Sequence, residues 1–222
     1  MPCHGGEGGG CWPRMKNITL LTLTLVAAAT ASAQSSLGKP GLSYDRVGVS
    51  YFTGDDVKGY DISASALLGD HFIVSGGYRD ADFKNLDAVS GNSTGFGLGY
   101  RIGAGPGDVI LSIGYAQVQA AGVDSGAAVF ASGESLSFGI AYRQLINDAL
   151  EFGVSYSRSR QEIGAGGVDL YTGQVGFAGS TENVNEFGGF LRYHATKSFD
   201  LTLGYDYSDN SDVWSLAATY KF

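Results

Sequence analysis

The chain has 222 residues, with 14 basic against 22 acidic side chains and a formal net charge of −8. An acidic chain is a poor partner for nucleic acid, where affinity comes largely from neutralised phosphates. Hydropathy averages near zero, and 35 Gly against 4 Pro argues against a Pro-rich disordered linker.

Residues 1–14 are Gly-rich and carry both cysteines, Cys3 and Cys11. They precede a good start at Met15 and read as an upstream, misassigned start. Residues 15–33 read as a secretory signal peptide. Met15-Lys16-Asn17 opens a basic segment, Ile18 to Ala29 is an unbroken run of apolar residues and threonines, and Ala31-Ser32-Ala33 is a small-x-small cleavage site. The run is too short to cross a bilayer as a helix, which takes about 20 residues; a buried N-terminal helix is the alternative reading. The mature chain is then residues 34–222, a single domain. Two of the basic and one of the acidic residues precede Gln34, so 12 basic and 21 acidic residues remain, a net charge of −9. No cysteine remains either, which leaves no disulfide framework, no cysteine metal site and no lipid-attachment cysteine at the cleavage point.

Ten segments of the mature chain alternate apolar with small or polar residues, the period of a strand with one greasy and one wet face. In chain order the greasy faces are Val47, Val49 and Tyr51; Tyr60, Ile62, Ala64, Ala66 and Leu68; Phe72, Val74, Gly76 and Tyr78; Phe96, Leu98, Tyr100 and Ile102; Val109, Leu111, Ile113 and Tyr115; Leu136, Phe138, Ile140 and Tyr142; Leu150, Phe152, Val154 and Tyr156; Phe187, Gly189, Leu191 and Tyr193; Phe199, Leu201, Leu203, Tyr205 and Tyr207; and Trp214, Leu216, Ala218, Tyr220 and Phe222. A soluble β-sandwich also alternates. Two features favour a membrane barrel: the wet face is rich in Gly and Ser, which suits a lumen, and aromatics sit near the strand ends, as girdles do.

The connections alternate short and long. Gly69-Asp70, Gly103 to Gly107, Leu145 to Ala149 and Ala195 to Ser198 are expected as periplasmic turns. Segments near 54–58, 80–93, 117–133, 158–184 and 208–212 are expected as extracellular loops. This phase puts both termini in the periplasm and requires an even strand count. Val168 to Ala178 has some strand character, but an eleventh strand breaks parity. It reads as part of a long loop, in the form of a hairpin that extends strands beyond the membrane.

The chain resembles the compact barrels of the OmpA/OmpX-like and "outer membrane protein beta-barrel domain" families. The segments that carry the resemblance are GLSYDRVGVSYF near the start, the pair FGLGYRIG and ILSIGYAQV, and VWSLAATYKF at the end. It implies an all-β, antiparallel transmembrane β-barrel in the outer membrane of a Gram-negative-type bacterium, and the ten alternating segments make it ten-stranded; eight strands would discard two good segments and twelve would need one more. It also implies export through the secretion translocon and a terminal strand, with Trp214, Leu216, Tyr220 and Phe222, read by the barrel-assembly machinery. The expected surroundings are outer-membrane lipid and lipopolysaccharide, with the protein a monomer that needs no cofactor.

Inward-facing charges are the first candidates for function. Arg46, Arg101, Arg143, Arg192 and Lys221, with Glu151 and Asp200, are expected near the periplasmic end; Asp61, Glu186 and Asp206, with Arg79, near the outer end. One reading is a salt-bridge network that fills the barrel, since buried charges must be paired. The other is a narrow water-filled path whose charge rings select solutes. Inward glycines at 95, 97, 99, 139, 153 and 204 leave room for water, or for Phe52 and Phe190 to fold across the space. An outer-membrane enzyme of the His-Ser type needs an imidazole near the outer leaflet, and His71 and His194 both fall beside short turns. Acidic residues at 55, 56, 80, 82, 87, 209 and 212 cluster at the outer rim, where carboxylates suit hard cations. The fragment Asp80-Ala-Asp82-Phe-Lys84 departs from an EF-hand loop, so solvated charge is the preferred reading and no metal is expected. The glycine runs at 95–99 and 103–107 have no helix after them and do not read as phosphate cradles.

The leading functional reading is a non-enzymatic barrel with a structural or surface-interaction role through its extracellular loops. Second is a small porin for ions or small polar solutes. Third is an outer-membrane lipid-modifying enzyme.

Overall fold

The computed structural model describes residues 42–86, 88–209 and 211–222. The expected start at Met15, the signal peptide at 15–33 and both cysteines lie outside the described residues. Ten strands form: β1 (Arg46–Gly54), β2 (Val57–Leu68), β3 (Phe72–Phe83), β4 (Ala88–Ala104), β5 (Gly107–Asp124), β6 (Ala127–Asn147), β7 (Leu150–Asp169), β8 (Val175–His194), β9 (Phe199–Ser208) and β10 (Ser211–Lys221). Each pairs antiparallel with its neighbours in sequence, and β1 pairs with β10, so the sheet closes on itself. In the closing pair Val47 faces Tyr220, Tyr51 faces Leu216 and Thr53 faces Trp214. Closure leaves no strand edge, which lets a sheet sit in hydrocarbon with every ladder group paired.

The ten alternating segments expected from sequence are these ten strands. Their greasy faces point outward: Val49, Ile62, Leu98, Ile113, Ile140, Val154, Leu191, Leu203 and Leu216 are all exposed. Aromatic pairs bracket this belt. Toward the end where β1 begins and β10 finishes, here the terminal end, lie Phe72–Tyr100 at 5.3 Å and Phe199–Tyr220 at 5.2 Å between ring centroids. Toward the far end lie Tyr51–Tyr60 at 5.3 Å, Tyr156–Phe187 at 5.0 Å and Tyr205–Trp214 at 4.7 Å. An exposed apolar belt between two aromatic rings is the exterior of a transmembrane barrel.

The long loops expected at 80–93, 117–133 and 158–184 are mostly strand. β4 to β8 run 17–21 residues, while β1 to β3, β9 and β10 run 9–12, so one side of the wall stands tall at the far end. Val168 to Ala178 belongs to the β7–β8 hairpin, as expected, and adds no strand. The loops were misjudged because the pattern inverts above the far girdle. There Val118, Ala120, Ala131, Ile163 and Val184 turn inward and are buried, while Gln119, Glu134, Arg160 and Glu162 turn outward and are exposed. Lipid outside the wall gives way to water, so the apolar positions move by one residue in the same continuous strand. The β5–β6 turn is two residues long, with Ser125 at φ 49° and Gly126 at φ 81°. Positive φ at both central positions is the type I′ geometry that suits a tight hairpin.

The lumen and its charge network as the candidate functional site

Arg46, Arg101, Arg143, Glu151, Arg192, Asp200 and Lys221 lie on the inner side of the wall in one layer, and Asp61, Arg79, Glu186 and Asp206 in a second. On β1, Arg46 lies opposite Ser65, and four residues further Ser50 lies opposite Asp61. At a strand rise of 3.2–3.4 Å the layers are separated by about 13 Å along the wall.

The layer at the terminal end is a dense ion network. Glu151 is fully buried and receives Arg143 Nη2 at 2.5 Å and Nε at 2.6 Å. The same carboxylate takes Arg192 Nη1 at 3.1 Å. His194 bridges it to Asp200, with Nδ1 at 2.8 Å from Asp200 Oδ1 and Nε2 at 3.6 Å from Glu151. Lys221 Nζ lies 2.7 Å from Asp200. Arg101 pairs with Asp108 at 2.9 Å. Strand register explains these contacts: Glu151 and Arg192 are direct cross-strand partners, as are His194 and Asp200.

Residues 42–45, which precede β1, run into this layer. Tyr44 is fully buried and donates its hydroxyl to Asp108 at 3.3 Å. Its ring lies 5.3 Å from the Arg143 guanidinium and 5.9 Å from that of Arg101, within reach of cation–π attraction. Asp45 accepts the Leu67 amide at 2.9 Å, and the Phe222 amide donates to the Asp45 carbonyl at 3.2 Å. Tyr44 then packs with the inward Ile73, Ile110 and Ala141, against Leu67. The Phe190 ring lies along the wall over Gly153 of β7, with the Arg192 guanidinium 4.7 Å and that of Arg143 5.9 Å from its centre. A Cβ on its cross-strand partner Gly153 would lie 2.2 Å from that ring, so a larger residue there displaces Phe190.

The second layer holds Asp61 and Arg79, cross-strand partners 3.8 Å apart, with the Ser50 hydroxyl donating to Asp61 at 3.1 Å. Glu186 is buried and accepts from Ser157 at 3.5 Å. Asp206 lies against Gly188, where a Cβ would meet its carboxylate at 2.5 Å. Arg79 stacks on Phe52 at 4.3 Å. Beyond this layer the lumen is largely apolar, with Ser135, Ser159 and Gln161 also buried there: Phe52, Val57, Ala81, Phe83, Val89, Val118, Ala131 and Val213 form one buried cluster, with Leu86, Val129 and Ala165 packed on it. Every strand but β8 and β9 contributes, and the buried members are 0–7% exposed, which leaves little room for water among them. Between the layers lies a cavity of about 110 Å³, lined mainly by Ser, Thr and Gly with Arg46, Arg192, Asp61, Arg79 and Asp206 at its two ends.

The remaining candidates sit elsewhere. Trp214, Leu216, Tyr220 and Phe222 all face outward on or beside β10 and are exposed. His71 is exposed, stacks on Tyr100 at 5.4 Å and contacts the Arg101 carbonyl; it lies by the β2–β3 turn, and His194 contacts carboxylates. Asp80 and Asp82 lie on the outer face of β3, and Lys84 donates to Thr53 and to the Gly54 carbonyl at 2.9 and 2.6 Å. Among the described residues no three His, Cys, Asp or Glu gather to hold a metal. Tyr44 and Asp108 were missed at the sequence level. Asp108 was accessible by phase, because Val109 faces out; Tyr44 precedes the alternating pattern and carries no such signal.

No protein-family model matches the chain, and no curated protein matches it. Among solved structures, the translocator domain of the autotransporter NalP from Neisseria meningitidis aligns with TM-score 0.52 at 14% identity, over 93% of this chain and 96% of that one. The KdgM porin in complex with disordered oligogalacturonate aligns with TM-score 0.47 at 9% identity, over 80% and 99%. Ail, the attachment invasion locus protein of Yersinia pestis, aligns in its complex with sucrose octasulfate with TM-score 0.38 at 20% identity, over 79% and 99%. At these identities likeness speaks for fold alone: the chain is a small, closed, ten-stranded β-barrel of the outer-membrane type.

Proposed function

We propose that the protein is a non-conducting, non-enzymatic barrel of the bacterial outer membrane that acts through the surface of its far end. The observation that carries this reading is the filling of the lumen at two levels. Tyr44 and the Glu151 network occupy the terminal end, and the Phe52–Val57–Phe83 cluster occupies the other. In this reading both termini lie in the periplasm, residues 15–33 direct export, and the last strand with Phe222 is presented to the assembly machinery. The tall β4–β8 wall then stands outside the cell beside lipopolysaccharide, with polar side chains over its outer face and Leu170, Tyr171 and Phe177 exposed at its tip. Liposome swelling tests the reading: vesicles holding the folded protein should swell no faster in small sugars than empty vesicles. Swelling that scales with protein content favours the small-porin alternative, for which the cavity between the layers is the supporting observation.

A further inference from the structure

We infer that the lumen cavity holds a small monovalent anion, chloride in the cell, bound by Arg46. Arg46 is 5% exposed. Its Nη2 donates to the Ser43 carbonyl, while Nε and Nη1 have no hydrogen-bond partner. Arg79, Arg101, Arg143, Arg192 and Lys221 each form an ion pair, and among the described inward cations Arg46 alone forms none. Its neighbourhood does not supply the missing charge. Glu151 is shared between Arg143 and Arg192, and Asp200 is engaged by Lys221 and His194. An unpaired buried charge is strongly disfavoured, whereas one matched by a counter-ion is tolerated.

The cavity borders Arg46 directly, and its volume of about 110 Å³ accommodates an ion with a few waters. Neutral donors complete the site. Thr202 lines the cavity and accepts Arg192 Nε on its oxygen at 2.9 Å, which leaves its hydroxyl proton to donate. Thr219 lines the same floor. Asp61 and Asp206 close the opposite end, about 13 Å along the wall, and their charge confines an anion to the Arg46 end. Arg46, Arg101, Arg143, Arg192 and Lys221 outnumber Asp108, Glu151 and Asp200 at this end, so positive charge is in excess there, and the small volume suits a compact monovalent anion. Water alone satisfies the guanidinium hydrogen bonds and leaves the charge unmatched.

Bromide substitutes for chloride and scatters anomalously. In crystals of the folded wild-type protein soaked in sodium bromide, an anomalous peak is expected within hydrogen-bond reach of Arg46 Nε or Nη1. The peak falls to background in Arg46→Gln that retains the barrel fold. Ordered water at Arg46 without bromide in the wild type overturns the inference. So does bromide bound only elsewhere, or a peak undiminished in Arg46→Gln. Should the variant not fold, the wild-type map decides alone.

Discussion

Replacing Glu151 with Gln keeps the side-chain volume and removes one negative charge from between two buried guanidinium groups. Glu151 is fully buried and contacts Arg143 at 2.5 and 2.6 Å and Arg192 at 3.1 Å. Removing one partner of a buried ion pair costs about 3–5 kcal/mol, mostly because the other charge is left uncompensated. Two arginines are left here, so the upper part of that range is expected. Glu162→Gln is the control: it removes a carboxylate paired with Arg160 at 2.8 Å, but both side chains are more than 60% exposed, and such pairs contribute little or nothing measurable. The assay is urea unfolding of protein refolded into lipid vesicles, followed by the mobility of unheated samples on gels. Adding Arg192→Met to Glu151→Gln should restore part of the loss, because the two residues act as a unit. Equal midpoints for Glu151→Gln and Glu162→Gln would refute the claim that the network holds the terminal end of the barrel together.

Leu203 is 48% exposed on the lipid face, next to the inward Thr202. Leu203→Arg should cost about 2–4 kcal/mol of unfolding free energy near mid-membrane, and Thr202→Arg less; equal losses contradict the assignment of faces. Gly153→Val drives methyl groups into the Phe190 ring, which already lies 2.2 Å from where a Cβ would stand. Overpacking of that kind typically costs about 1–3 kcal/mol, and an unchanged urea midpoint contradicts the packing of Phe190 over Gly153. Deleting Phe222 should lower the amount of protein inserted in the outer membrane while signal cleavage proceeds normally, as read by fractionation and blotting. Wild-type levels of the deletion contradict the role given to the C-terminus.

The membrane-embedded part of the barrel was legible because hydrocarbon outside and a polar lumen inside impose one unbroken alternation. Leu201, Leu203 and Tyr205 against Asp200, Thr202 and Gly204 show it without ambiguity. The lumen charges followed from the same phase, so Arg46 and Glu151 could be oriented before any contact was known. What paired with what was not legible, since register across strands joins residues as distant as Glu151 and Arg192. The tall hairpins were hidden by the inversion of the pattern where lipid ends. Gln117 to Ala120 reads as a weak loop if apolar residues must face outward, and as a strand once Val118 and Ala120 may face inward. Asp124-Ser125-Gly126 was an available hairpin signal of the kind that favours positive φ. The apolar filling at the far end escaped because Val57, Phe83 and Val89 lie at strand ends, beside residues that read as turns. The filling at the terminal end escaped because Tyr44 comes before the first strand.

Single-channel recording in a planar bilayer bears most directly on the closed lumen. The folded mature protein, shown to be inserted, should give no discrete conductance steps, and Tyr44→Ala should stay silent too, because the Phe52 cluster still closes the far end. Reproducible wild-type steps whose size changes with Arg101 or Arg143 substitution would make the lumen a pathway and contradict the filling inferred from Tyr44, the Glu151 network and the Phe52 cluster.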